Sequence, residues 1–133
     1  MTAVNLSSYA NNPVELNILP EGTETELKII GMKTGKNKNG NDYMMIFFEI
    51  LGYGDAMKDV SAYFGLPSDD MKPKEKVAAM QKITKFAKTF GIDLSAEFSE
   101  DDIVGKTGWA FMKVEKDQDG EDTNGISRFS HGA

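Results

Sequence analysis

The sequence predicts an all-β domain with one α-helix: five strands wound as a Greek-key barrel, the helix lying between strands 3 and 4. Three observations predict it. Short runs of alternating or apolar β-forming residues recur between Gly- and Asn-rich turns. Only one stretch, near residues 73–90, spaces its apolar residues by threes and fours. A chain of 133 residues, 40% of them hydrophobic, fits a single domain that needs no disulfide or metal to hold its core.

Residues 1–22 read as an N-terminal arm, rich in Asn, Ser and Pro, that ends at the turn Pro20-Glu21-Gly22; residues 23–133 form the domain. Strand 1 is Thr25 to Met32, where Leu27 and Ile29 alternate with Glu26 and Lys28, and Gly31 interrupts it as suits a bulge or a barrel corner. Residues 33–42 (KTGKNKNGND) form a loop with Asn39-Gly40 as its turn. Strand 2 is Tyr43 to Leu51 (YMMIFFEIL), apolar enough to be covered on both faces. After Gly52-Tyr53-Gly54-Asp55, strand 3 runs from Lys58 to Phe64, completing a meander. The helix has Pro73 in its first turn, Gly91 as its C-cap, and a stripe of Val77, Met80, Ile83, Ala87 and Phe90, joined by Ala79 and Phe86. Asp69, Asp70 and Glu75 favour its N-terminal end, and Lys74, Lys82, Lys85 and Lys88 fall outside the stripe. Thr107 to Val114 is strand 4, 117–125 (DQDGEDTNG) a turn, and Ile126 to Phe129 a short strand 5. No internal repeat is evident. This order, β-β-β-α-β-β, is that of the OB-fold barrel, which binds oligonucleotides on its strand 2–3 face and at the loops joining strands 1–2 and 4–5.

Composition narrows the function. The chain has no cysteine and a single histidine, His131, so thiol chemistry, His-based triads and multi-histidine zinc sites are excluded. No apolar run has the length of a membrane span, and the N-terminus lacks the form of a signal peptide; the expected location is the cytoplasm. The net charge of −6 hides a polar layout: residues 1–26 carry −4, residues 27–90 carry +4 with eleven lysines, and residues 91–133 carry −6. Local field steers a polyanion, so the basic middle outweighs the acidic total.

Two motifs fail on inspection. Gly35 and Gly40 have P-loop spacing, but Asn41-Asp42 stand where Lys-Ser/Thr is required, and a strand follows instead of a helix. Glu115, Asp117, Asp119 and Gly120 imitate half of an EF-hand, yet Ile126 occupies the position of its bidentate Glu. Glu100-Asp101-Asp102 reads as a helix start or solvated turn. No metal site, cofactor or catalytic residue is expected, and the chain reads as a binding module, not an enzyme.

The binding constellation begins at the loop. Lys33, Lys36 and Lys38 sit among Gly and Asn, mobile ammonium groups suited to a flexible phosphate backbone. On strand 2, Met44, Ile46, Phe48 and Ile50 form the core face, leaving Tyr43, Met45, Phe47 and Glu49 on the other. On strand 3, Val60, Ala62 and Phe64 face the core, leaving Ser61 and Tyr63. Tyr43, Phe47 and Tyr63 thus make a stacking platform rimmed by lysines, with Trp109 a further candidate; either Trp109 and Phe111 or Ala110, Met112 and Val114 face inward on strand 4.

The stretches Leu19-Pro20-Glu21-Gly22, TELKIIGMKTGKNKNGNDYMMIFFEILGYG and DVSAYFGL, followed by FGID (Phe90 to Asp93) and DIVGK (Asp102 to Lys106), resemble phage-encoded single-stranded DNA-binding proteins of the OB-fold type, from replication and recombination modules. The similarity spans roughly residues 19–116. It implies that Lys33, Lys36, Lys38 and Tyr43 belong to a basic loop and the strand after it. Thr23-Glu24 departs from the aromatic expected after the Leu-Pro-x-Gly turn, and Arg128 to Ala133 is no long acidic tail.

The leading expectation is sequence-independent binding of single-stranded DNA, with phage or host replication proteins as partners and the arm suited to subunit exchange in a homo-oligomer. An alternative is a protein-interaction or assembly module that uses the aromatic strand face without nucleic acid. A third is a carboxylate-metal nuclease, although no pair of acids is set apart at a defined spacing.

Overall fold

The computed structural model describes residues 2–7, 16–54 and 56–130. Met1 and residues 8–15 of the expected arm, Asp55 of the expected turn, and His131 to Ala133 lie outside them. Five strands, β1 (Glu24–Lys36), β2 (Asp42–Ile50), β3 (Val60–Gly65), β4 (Thr107–Lys116) and β5 (Asp122–Ser130), form one antiparallel sheet in the order β3-β2-β1-β4-β5. Helix α1 (Pro73–Phe90) lies between β3 and β4, followed by a single turn of helix, α2 (Glu100–Ile103). The element order is therefore as expected. The sheet is not closed, because no ladder joins its edge strands β3 and β5.

Several element boundaries differ from the sequence reading, and three of the differences have a structural cause. β1 continues through Lys36, so Lys33 and Lys36 stand on a strand and the loop shrinks to 37–41. Antiparallel pairing of Lys33 with Met45 and Lys36 with Asp42 overrides the polar Gly-rich composition. β3 starts at Val60, since the Lys58 amide donates to the Asn17 carbonyl at 3.0 Å, not to β2. β5 starts at Asp122, because buried Asn124 is an anchor: its side chain accepts from the Leu19 amide at 2.7 Å and donates to the Leu19 carbonyl at 2.9 Å. Asn17 bridges Met57, and Leu19 enters the core, so this stretch is tied to the sheet.

The β1–β2 ladder slips between Ile29 and Gly31, so of the two readings of Gly31, bulge or barrel corner, the register shift favours the bulge. β1 pairs with β4 from Glu24 to Lys28 and with β2 from Leu27 to Lys36. The core lies between the inner sheet face and α1. Leu27, Ile29, Ile46, Phe48, Phe64, Phe86 and Met112 are almost fully buried there. β2 is covered on one face only; Tyr43, Met45, Phe47 and Glu49 are half-buried on the other. On β4, Ala110 and Met112 face inward, so Trp109 and Phe111 face outward.

Pro73 occupies the first turn of α1, and Gly91 closes it in a left-handed conformation (φ 71°). Only the last two turns reach the core, burying Ile83, Phe86, Ala87 and Phe90. Val77 and Met80, expected in the buried stripe, are instead 57% and 42% exposed. α2 has a capping box between Ser99 and Asp102, which confirms 100–102 as a helix start, and it buries Ile103. Glu100 accepts the Met32 amide just beyond the bulge at 2.8 Å.

Candidate functional site

The outer face of β1, β2 and β3 is laid out by cross-strand pairing. Gly35–Tyr43–Gly65, Lys33–Met45–Tyr63 and Gly31–Phe47–Ser61 are successive rows across the three strands. Tyr43 and Tyr63 are therefore diagonal neighbours, within reach of aromatic rings. Their centroids are 5.2 Å apart, with the planes at 25°, a stacked pair. Two glycines make room. A Cβ on Gly35 would sit 3.0–3.1 Å from the Tyr43 ring, so a side chain there would push the ring a few tenths of an ångström off β1. Phe47 lies over Gly31 in the same way, at an ordinary 3.6 Å.

Tyr63 is 41% exposed and takes a long hydrogen bond (3.4 Å) from the Asn37 side-chain amide, linking the 37–41 turn to the tyrosine pair. Lys33 is exposed one row from Tyr43, and Lys38 is exposed at the tip of the turn. Lys36 is engaged with Asp42 at 2.9 Å. The structure thus brings together Lys33, Lys38, Tyr43, Phe47 and Tyr63, and adds Met45, which sits between Lys33 and Tyr63. Trp109 is not part of this group. Its neighbours across the ladders are Glu26 and Ser130, on the far side of the Lys28–Glu49 ion pair (2.7 Å).

The two hairpin turns prove to be copies of one device. In the first, Asn37 Oδ1 accepts from the amides of Asn39 (2.9 Å) and Asn41 (3.0 Å); in the second, Asp117 Oδ1 accepts from Asp119 and Glu121, both at 2.9 Å. Gly40 and Gly120 take the left-handed conformation that each turn requires, φ 80° and 79°. The underlying strings, KNKNGND and KDQDGED, match position by position in turn chemistry and differ in charge. The loop between β4 and β5 is therefore acidic, although the OB fold uses the corresponding loop for ligand contact. Because Asn already fills the capping role at 37, Asp117→Asn leaves stability within about 0.5 kcal/mol, whereas Asp117→Ala costs about 1 kcal/mol by orphaning two amides. Urea unfolding checks both.

A second group escaped the sequence reading. Where β3 and β5 fail to pair, a cleft of about 760 Å³ opens against α1, lined by Lys82, Lys85, Lys88, Lys113 and Arg128. Lys82 donates to the Tyr63 carbonyl and lies 5.0 Å over the Phe64 ring. Burial, and then the charge of Lys113, hold the Lys82 ammonium below the usual lysine range. The Arg128 guanidinium stacks 4.2 Å over Phe111. The signal for this cluster is the spacing of Lys82, Lys85 and Lys88 by threes along one helix face.

Among the described residues no group of three or more His, Asp or Glu side chains is placed to hold a metal ion, and no helix is long and apolar enough to cross a membrane. No known family model matches this chain, and no curated protein matches it.

Proposed function

We propose that the protein binds single-stranded DNA without sequence preference, in phage replication or recombination, on the outer face of β1, β2 and β3. The observation that carries this reading is the stacked Tyr43–Tyr63 pair, held on a sheet face with Lys33 one row away and Lys38 on the turn whose Asn37 meets Tyr63. Unpaired bases present π faces to such rings whatever their identity, and each stacked base is worth about 1–3 kcal/mol. Phosphates reach Lys33 and Lys38, neither of which is in an ion pair among the described residues. A folded platform with mobile cations at its rim suits a ligand whose backbone is flexible.

The architecture supports the same reading. The order β3-β2-β1-β4-β5, with its edge strands β3 and β5 unpaired, suits our reading of the sheet as a partly open barrel of the OB type. In it the ligand face is that of strands 2 and 3, where the tyrosines lie. The face offers stacking rings and cations, which is why we read it as a binding surface.

An equilibrium titration with fluorescent oligo-dT at 50 and 200 mM salt tests the proposal. Tight binding that weakens with salt, at a slope of about −0.7 per phosphate contacted, is the expected result. No binding at the lower salt, or binding indifferent to salt, contradicts it.

A further inference from the structure

The five cations at the open seam stand apart from the lysines that the platform uses. Lys82, Lys85 and Lys88 line one wall of the cleft from α1, and Lys113 and Arg128 line the other from β4 and β5. Only one acid joins them: Glu115, which lies across Gly125 and pairs with Lys113 at 3.5 Å. Elsewhere some lysines are neutralised, as in Lys28–Glu49, Lys36–Asp42 and Lys76–Asp69, while among the described residues Lys33 and Lys38 at the platform are not. Lys85 and Lys88 have no carboxylate partner among the described residues. Positive charge concentrated in a concave, low-dielectric seam focuses field onto an incoming anion.

Tyr63 joins this seam to the platform. Its ring stacks on Tyr43, its hydroxyl meets Asn37, and the same residue lines the cleft next to Lys82. At its other end the route is closed electrostatically. There Lys58 holds the Asp122 carbonyl at 2.7 Å, and the acidic 117–121 turn begins, with Asp117, Asp119 and Glu121.

We propose that the cleft between α1, β3 and β5 is a second phosphate site, which takes the DNA single strand as it leaves the Tyr43–Tyr63 pair. This rests on the reading above and extends the bound length past the platform. Lys85, Lys88 and Arg128 contact successive phosphates, and Lys82 closes the gap between platform and cleft. A phosphate there relieves the repulsion between Lys82 and Lys113. A single strand suits the continuity with Tyr63 better than a duplex, since only unpaired bases use the ring pair.

The test is binding of oligo-dT of about 4 and about 16 nucleotides, the two ends of the range of site sizes for OB folds, to the full chain and to Lys85→Gln/Lys88→Gln. Both lysines are exposed, and thermal unfolding confirms that the double variant folds. In the wild type, affinity rises steeply from the short to the long oligomer; in the variant that gain shrinks. The long oligomer's salt slope falls by about 1.4, two phosphates at about 0.7 each, so wild-type affinity drops about sevenfold more than the variant's between 50 and 200 mM salt. An unchanged length gain and salt slope overturn the cleft and leave the platform standing. An equal loss with both oligomers overturns the division into two sites. Failure of the wild type to bind either oligomer overturns the platform, and the cleft reading with it.

Discussion

Replacing Tyr43 by alanine lowers affinity for oligo-dT by about 5- to 150-fold, the loss of one stacked base at about 1–3 kcal/mol. Two effects combine. The variant removes one ring, and it takes away the neighbour that holds Tyr63 at 5.2 Å in a stacked orientation. The loss is in binding, not folding, because Tyr43 sits half-buried on the outer face while Met44 and Ile46 carry the core. Tyr43→Phe keeps the ring, and therefore most of the affinity. Anisotropy titrations of the wild type and both variants at one salt concentration read the difference directly. Equal affinities for wild type and Tyr43→Ala remove the tyrosine pair from the account.

Phe86→Ala has the largest effect on stability, a loss of about 3–5 kcal/mol on removing a buried phenyl ring. Phe86 is 1% exposed and lies at the centre of an aromatic cluster. Its centroid is 4.9 Å from Phe64, 5.2 Å from Phe90, 5.8 Å from Phe129 and 6.2 Å from Phe48. These rings come from β2, β3, α1 and β5. The helix is thus bonded through one side chain to both edges of the open seam, where backbone pairing is missing. Against a domain stability of about 5–15 kcal/mol, the variant sits near its unfolding threshold at ordinary temperature. Urea denaturation gives the number. A change below about 1 kcal/mol means that the helix is held by something other than this cluster.

The same residues show why some of the fold was legible in the sequence and some was not. The core face of β2 followed from strict alternation: Met44, Ile46, Phe48 and Ile50 are buried and their neighbours are not. The cap at Gly91 followed from a single glycine where the pattern breaks, and at Gly31 the same signal left bulge and barrel corner both open until the β1–β2 register was known. Local composition misled where long-range pairing decides. KTGK reads as loop, yet Lys33 to Lys36 pair with Tyr43 to Met45 and Asp42 and stay strand. DTNG reads as turn, yet Asn124 is held by Leu19 from 105 residues away. The stripe of α1 was periodic along its whole length, but periodicity does not say where the sheet ends, and Val77 and Met80 project beyond the core.

The candidate site divides in the same way. Tyr43, Phe47, Tyr63 and Lys33 gather on one face because strand alternation and a meander suffice to place them, and Lys38 stands on the turn that joins β1 to β2. Trp109 falls outside because its neighbours depend on the β1–β4 register, which no local pattern encodes. The cationic seam depends on the failure of β3 and β5 to pair, a property of the closed or open sheet and not of any segment. The kinship of the two hairpin turns is plain in KNKNGND and KDQDGED once the shared role of Asn37 and Asp117 is known.

Photo-cross-linking tests the central claim, that unpaired bases stack on the tyrosine pair, most directly. Oligo-dT carrying a halogenated base is irradiated on the full chain at low salt, and the attached peptides are identified by mass spectrometry. The account predicts attachment at Tyr43 and Tyr63, competed away by unlabelled single strand and not by duplex of the same length. Attachment confined to Trp109, or none at either tyrosine under conditions where the oligomer is bound, contradicts it.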